Sequence, residues 1–303
     1  MVPVRIWLIG FVLALPQVVA DAPGPGNSTV ERNEHEMIYR DVIFGRVDDV
    51  PLKLDLYLPL KATGPPPVVV YFHGGSWRSG SKESCQVRWL ARHGYAVASV
   101  GYRKSHTARF PAILHDCKGA IRFLRANGKR LGITTEKLAV AGCSAGGHLA
   151  LLLATTGGDA ELEGKIGGNL EQSSRVQAAL GMYCPTDLHF AATTDAGRWD
   201  KPASSLYQFL GGKPSEKLAL ARAASSTTHV TTDDPPIILL VGSEDTPERI
   251  MQGRLLRKAY EKAGLRATFQ ILAGAGHGGP EFRDEERVAL ILDLLKKELK
   301  GHP

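Results

Sequence analysis

Polar and apolar residues follow two different rhythms along this chain. Early on, Ile38 to Val47 is strand-like, and Leu52, Leu54, Leu56 and Leu58 alternate with Lys53, Asp55 and Tyr57. Period-two alternation predicts strands with one covered face, paired antiparallel at the edge of a sheet. Further on the apolar runs become continuous: Val68 to Phe72, Ala96 to Val100, Leu138 to Ala141, Val176 to Met182, Ile237 to Val241 and Thr268 to Leu272. Such runs fit strands covered on both faces. Between them lie helical stripes, with Cys117, Ile121 and Leu124 in one and Val288, Ile291, Leu292, Leu295 and Leu299 in a C-terminal one. Alternating strand and helix predicts an α/β fold: a mostly parallel eight-stranded sheet with helices on both faces, in a single domain over residues 34–303. Residues 188–232, more polar and carrying Trp199, Tyr207 and Phe209, are expected to lie over the strand ends, either as a small lid or as a long helix-to-strand connection.

The flanks and the composition narrow this further. Arg5, the apolar stretch Ile6 to Leu15 and the small-residue end Val18-Val19-Ala20 predict a cleaved signal peptide over residues 1–20. Pro16 and Gln17 interrupt the run before the roughly twenty apolar residues that a membrane span needs. Export to the periplasm or outside the cell is the expectation, with no stable membrane span after cleavage. Residues 21–33, rich in Pro, Gly and Ser, predict a solvated leader, and Asn27-Ser28-Thr29 has the form of a glycosylation sequon. The net charge of +6 is spread thinly, without blocks or interleaved aromatics, which argues against a nucleic-acid partner. Of the four cysteines, Cys85, Cys117, Cys143 and Cys184, an exported chain could bridge one or two pairs, yet each sits in an apolar segment that also suits a buried thiol. Their spacing is too wide for a redox or zinc motif.

The candidate chemistry starts at Gly142-Cys143-Ser144-Ala145-Gly146, which follows one apolar strand and opens a helical run. G-x-S-x-G in that setting is a nucleophile elbow: the serine occupies a strained turn that lifts its hydroxyl above the sheet. The helix that follows directs its N-terminal N–H groups toward the site. His73-Gly74-Gly75-Ser76-Trp77, after another strand, can offer backbone N–H groups to a developing oxyanion. The expected donors are Gly74, Gly75 and Ala145. An acid and a base should follow in that order. Gly242-Ser243-Glu244-Asp245 and Gly274-Ala275-Gly276-His277 each come after a buried strand, so Asp245 is assigned as the orienting acid and His277 as the base. Glu244 and Asp187 are the competing acids. Trp77 and residues 188–232 are expected to contact substrate.

Other readings of these residues carry less. His148 lies one turn past Ser144 on the same helix and should face the helix body, while His73 should brace the glycine loop. Gly274 to Gly279 also satisfies G-x-G-x-x-G, but only one helix remains after it, so no second strand can complete a dinucleotide site. No metal-binding or nucleotide-binding pattern is present, and neither metal nor cofactor is expected.

With these residues in view, the chain resembles the α/β-hydrolase superfamily of serine esterases, the group that includes carboxylesterases and feruloyl or acetyl-xylan esterases. The resemblance covers nearly the whole mature chain. Its segments are Leu54 to Pro59, His73 to Trp77, Ser81-Lys82-Glu83, Gly101-Tyr102-Arg103, Asp116-Cys117-Lys118, Ser144 to His148, Gly242 to Asp245 and Gly276-His277-Gly278. It implies a Ser144–His277–Asp245 triad, oxyanion donors at Gly74, Gly75 and Ala145, no cofactor, and an ester substrate that is short-chain or linked to polysaccharide. The chain departs from the pattern at Ser76, Cys143 and Thr246. A serine peptidase of the same fold is one alternative, and a non-catalytic binding module is another. The former usually carries an extra propeller domain, and the latter tends to lose a triad member.

Overall fold

The computed structural model describes residues 28–301. The expected signal peptide and the first part of the leader lie outside the described residues, as do His302 and Pro303. The sheet has nine strands rather than the expected eight, in the order β1-β2-β3-β5-β4-β6-β7-β8-β9. The additional strand is β1 (Thr29–Arg32), in what reads from sequence as polar leader; it pairs antiparallel with β2 (Glu36–Val47). All four β1 residues are exposed, so no alternation of burial marks the strand. Its ladder is a backbone interaction at the sheet edge, and side-chain pattern does not encode it.

β2, β3 (Val50–Pro59) and β5 (Ala96–Val100) run antiparallel, as the alternating pattern predicts. From β5 the ladder is parallel through β4 (Pro67–Phe72), β6 (Thr134–Cys143), β7 (Ala178–Met182), β8 (Ile237–Gly242) and β9 (Ala267–Leu272). The continuous apolar runs of β4 to β8 arise because both sides are covered, whereas β9, at the sheet edge, is partly exposed against that expectation, with Thr268 and Ile271 open to solvent. In β4, Val68, Val70 and Phe72 enter one core and Val69 and Tyr71 the other. The first core holds α1 (Ala112–Leu131) and α2 (Ala145–Thr155), with Cys117, Ile121 and Leu124 of α1 fully buried. The second holds Ile291, Leu295 and Leu299 from α9 (Glu285–Leu295) and the turn after it.

Several polar residues of the matched segments hold loops in place. Asp55, buried in β3, takes ion pairs from Arg40 at 2.7 Å and Lys82 at 2.8 Å. Asp116 in α1 pairs with Arg103 at 2.7 Å. These contacts tie the segment after β4 to β3 and the segment after β5 to α1. The cysteines form no disulfide, against the possibility of bridges: Cys117, Cys143 and Cys184 are buried free thiols and Cys85 is partly buried. Burial pushes the Cys85 and Cys184 thiols up to about 12, so both stay protonated at neutral pH.

Candidate active site

Parallel strands end on one edge, and the chain's chemistry gathers there. β4 leads into His73, β6 into Ser144, β8 into Asp245 and β9 into His277. Ser144 is the residue before α2, with φ 49° and ψ −123°, a left-handed backbone that a non-glycine residue adopts at a cost. The flanking glycines explain how the turn closes. A Cβ on Gly142 would sit 2.2 Å from the Gly146 carbonyl oxygen, and one on Gly146 would sit 2.0 Å from that of Phe72. Only hydrogen fits at either position.

Ser144, His277 and Asp245 stand in one hydrogen-bonded line. His277 Nε2 is 3.0 Å from Ser144 Oγ, and Nδ1 is 2.8 Å from Asp245 Oδ2. With the proton on Nδ1 donated to Asp245, Nε2 is free to accept from the serine. Burial works against ionisation of Asp245, but hydrogen bonds from His277 and the Thr246 N–H outweigh it and hold the carboxyl below its ordinary value. Asp245 is buried while the His277 ring is half exposed, so the line runs from the interior to solvent. Of the competing acids, Glu244 is exposed, and Asp187 is occupied with the start of α4 (Leu188–Thr194) and Thr227 Oγ1. The Thr246 departure has a local reason. Its Oγ1 accepts from the Arg249 N–H and, with Pro247 following, starts α8 (Pro247–Lys262) just past the acid.

The glycine loop lies against the serine. A Cβ on Gly74 would come within 3.3 Å of Ser144 Cβ, and Gly75 has φ 121°. Ser76 and Trp77 also have left-handed φ, 54° and 59°, which accounts for a third glycine being favoured at position 76 in the resembling family. His73 braces the loop. Its Nδ1 donates to the Gly74 oxygen at 2.6 Å, its Nε2 accepts from Lys104 at 2.7 Å, and its ring stacks on Tyr102. His148 is buried and turned away from Ser144. Its Nδ1 accepts from Trp77 Nε1 at 3.2 Å and its Nε2 donates to the Ala224 oxygen at 2.8 Å. Ala145 is the first residue of α2, where its N–H has no earlier helical carbonyl to bond.

Tyr183 and Arg249 were not legible in the sequence as site residues, whereas Trp77 and residues 188–232 were expected at substrate. Tyr183, after β7, sets its ring edge-on to His277 at 4.9 Å and donates its hydroxyl to Gln86 at 2.8 Å. Its signal was only its place after a buried strand. Beside Ser144 and Ala145 a recess of about 50 Å³ is walled by Trp77, Leu188, Trp199, Leu206 and Arg249. Three of these come from residues 188–232, folded as α4, α5 (Ala196–Trp199), α6 (Ser205–Leu210) and α7 (Leu218–Ala223). The segment is packed in place: Phe209 is fully buried and stacks on Trp77 at 4.5 Å. Among the described residues, no group of three or more His, Cys, Asp or Glu side chains is placed to hold a metal ion.

Known proteins resemble the chain in sequence and in fold. The BD-FAE family model matches residues 54–260. Esterase LipC of Mycobacterium tuberculosis is 31% identical over 248 residues, which make up 79% of this chain and 59% of that esterase, so the chain spans little more than half its relative's length. A truncated carbohydrate esterase from gut microbiota superposes with a TM-score of 0.79 at 25% identity, covering 91% of this chain and 99% of that one. An acetyl ester-xyloside bifunctional hydrolase from Caldicellulosiruptor lactoaceticus gives 0.68 at 26% identity, covering 82% and 88%. The chain has the α/β-hydrolase fold and belongs to the BD-FAE family.

Proposed function

We propose that this protein hydrolyses carboxylic esters through an acyl-enzyme on Ser144. The observation that carries the proposal is the hydrogen-bonded line from Asp245 through His277 to Ser144 beside a glycine loop. His277 Nε2 takes the serine proton as Oγ attacks the ester carbonyl, and Asp245 holds the ring and stabilises its positive charge. The N–H groups of Gly75, Gly74 and Ala145 stabilise the oxyanion. Collapse expels the alcohol, which leaves with the proton from His277. Water then attacks the acyl-enzyme, giving its proton to His277, and the carboxylic acid departs as Ser144 recovers its own.

The leaving alcohol must reach His277 for its proton, and His277 opens to solvent, so the alcohol side can belong to a large molecule such as a polysaccharide. The recess is lined by Ser144 and not by His277, which fits it to the acyl side. A volume of about 50 Å³ suits roughly three or four water-sized groups. That favours a short acyl group over a feruloyl group, and the names of the carbohydrate esterase neighbours agree with an acetylated polysaccharide. Export, with residues 1–20 as a cleaved signal, belongs to the same proposal.

Ser144→Ala should lower kcat for a short-chain p-nitrophenyl ester by about 10⁴-fold while leaving the circular dichroism spectrum unchanged. Retained turnover by the folded variant overturns the proposal.

A further inference from the structure

The recess beside Ser144 is not simply apolar. Trp199 Nε1 and Arg249 Nε are both buried and have no hydrogen-bond partner among the described residues. Among the described residues the Arg249 guanidinium makes no ion pair, although burial penalises its charge and, with the Cys184 thiol neutral, only the longer-range fields of Asp245 and Glu248 offset this. Neighbouring charges are otherwise engaged. Glu248 accepts from Gln252 at 2.9 Å and faces Arg198 at 3.6 Å, and Asp245 is bonded to His277. Arg198 in turn lies over the Trp199 ring at 4.4 Å, which fixes the indole as part of the wall. Trp199 and Arg249, with Glu248 beside them, thus wall the space that adjoins the nucleophile, and each of the two carries a side-chain donor without a partner. A buried donor left without an acceptor is costly, and a plain alkyl group cannot supply one.

On the esterase reading above, we propose that the recess selects a short acyl group that carries an oxygen acceptor, a terminal carboxylate above all, bound by Arg249 and Trp199. Acetyl is then the smallest occupant, and a malonyl-like half-ester is the better one. Arg249 is a specificity residue here, since the reacting carbonyl is handled by Ser144, the glycine loop and His277. Planar guanidinium against planar carboxylate is the strongest pairing available to such a group.

The test compares monomethyl malonate with methyl isovalerate, whose acyl groups differ in a carboxylate replacing an isopropyl group. The wild-type protein should prefer the malonate ester in kcat/KM by at least about tenfold. Arg249→Met should abolish this preference while still hydrolysing the isovalerate ester, and Trp199→Phe should weaken it. A wild-type preference for isovalerate overturns the proposal, as does an equal loss on both esters in a folded Arg249→Met. If Arg249→Met does not fold, Trp199→Phe decides: an unchanged preference overturns the proposal. If the wild-type protein turns over neither ester but cleaves p-nitrophenyl acetate, the proposal is overturned; if it cleaves none of the three, the esterase reading fails, and calorimetric titration with monomethyl malonate then decides the recess separately. Binding weakened at least about tenfold by either variant supports it, and no binding to wild type overturns it.

Discussion

At the scale of single residues, the site depends on positions where nothing larger than hydrogen fits. Gly146 is one, its Cα pressed against the end of β4. Gly146→Ala should therefore force β4 and α2 apart, costing at least about 3 kcal/mol in urea unfolding and most of the esterase activity. A variant with wild-type stability would show that the strand gives way easily. This glycine was legible because the pentapeptide and its strand-to-helix setting state a backbone demand directly. The same holds for Asp245 and His277, each found by its place after an apolar run. Tyr183 and Arg249 were not legible, and Trp199 only as part of residues 188–232. Their roles arise from distant segments meeting, and no local spacing records which aromatic ring will face His277 or which arginine will lack a partner.

Among elements, the joint between the glycine loop and residues 188–232 matters most. Two buried rings make it: Phe209 stacks on Trp77, and His148, on α2, accepts from Trp77 and donates to Ala224. His148→Phe should leave two buried groups unpaired and destabilise the protein by about 2–4 kcal/mol in urea unfolding. KM for short-chain esters should rise more than kcat falls, because Trp77 walls the recess while the hydrogen-bonded line to Ser144 is untouched. An unchanged KM would place the joint outside substrate binding. The helix carrying Ser144 was expected from sequence, and so was a histidine facing its body. That this histidine fastens one loop to another was not, because hydrogen-bond partners far apart in sequence leave no periodic mark. β1 shows the same limit for strands, since a fully exposed edge strand has no apolar rhythm.

For the whole molecule, the buried histidines govern acid stability. Burial lowers both His73 and His148 from an ordinary value near 6.5 to about 4. Between those values the unfolded chain binds protons that the folded one refuses, so this stability is complete above pH 6.5 and is lost as pH falls toward 4. Each ring accounts for about 3 kcal/mol over that window. Asp116 and Asp234, raised by burial, oppose the trend. Asp245, held low, adds its own loss only below the ordinary carboxylate range. Chemical unfolding at pH 7 and pH 4.5 should show a marked decrease, and His148→Phe should flatten it by roughly half. A variant with the wild-type slope would remove His148 from the account.

The four unbridged thiols bear on how such a chain reaches its place of work. A protein sent through a secretion pore as an open thread must refold on the far side, and many exported proteins then wait for an oxidoreductase to join their cysteines. This one has no pair to join. Collapse of its two cores needs no disulfide and is equally feasible in a reducing or an oxidising compartment, as the proposed export would require.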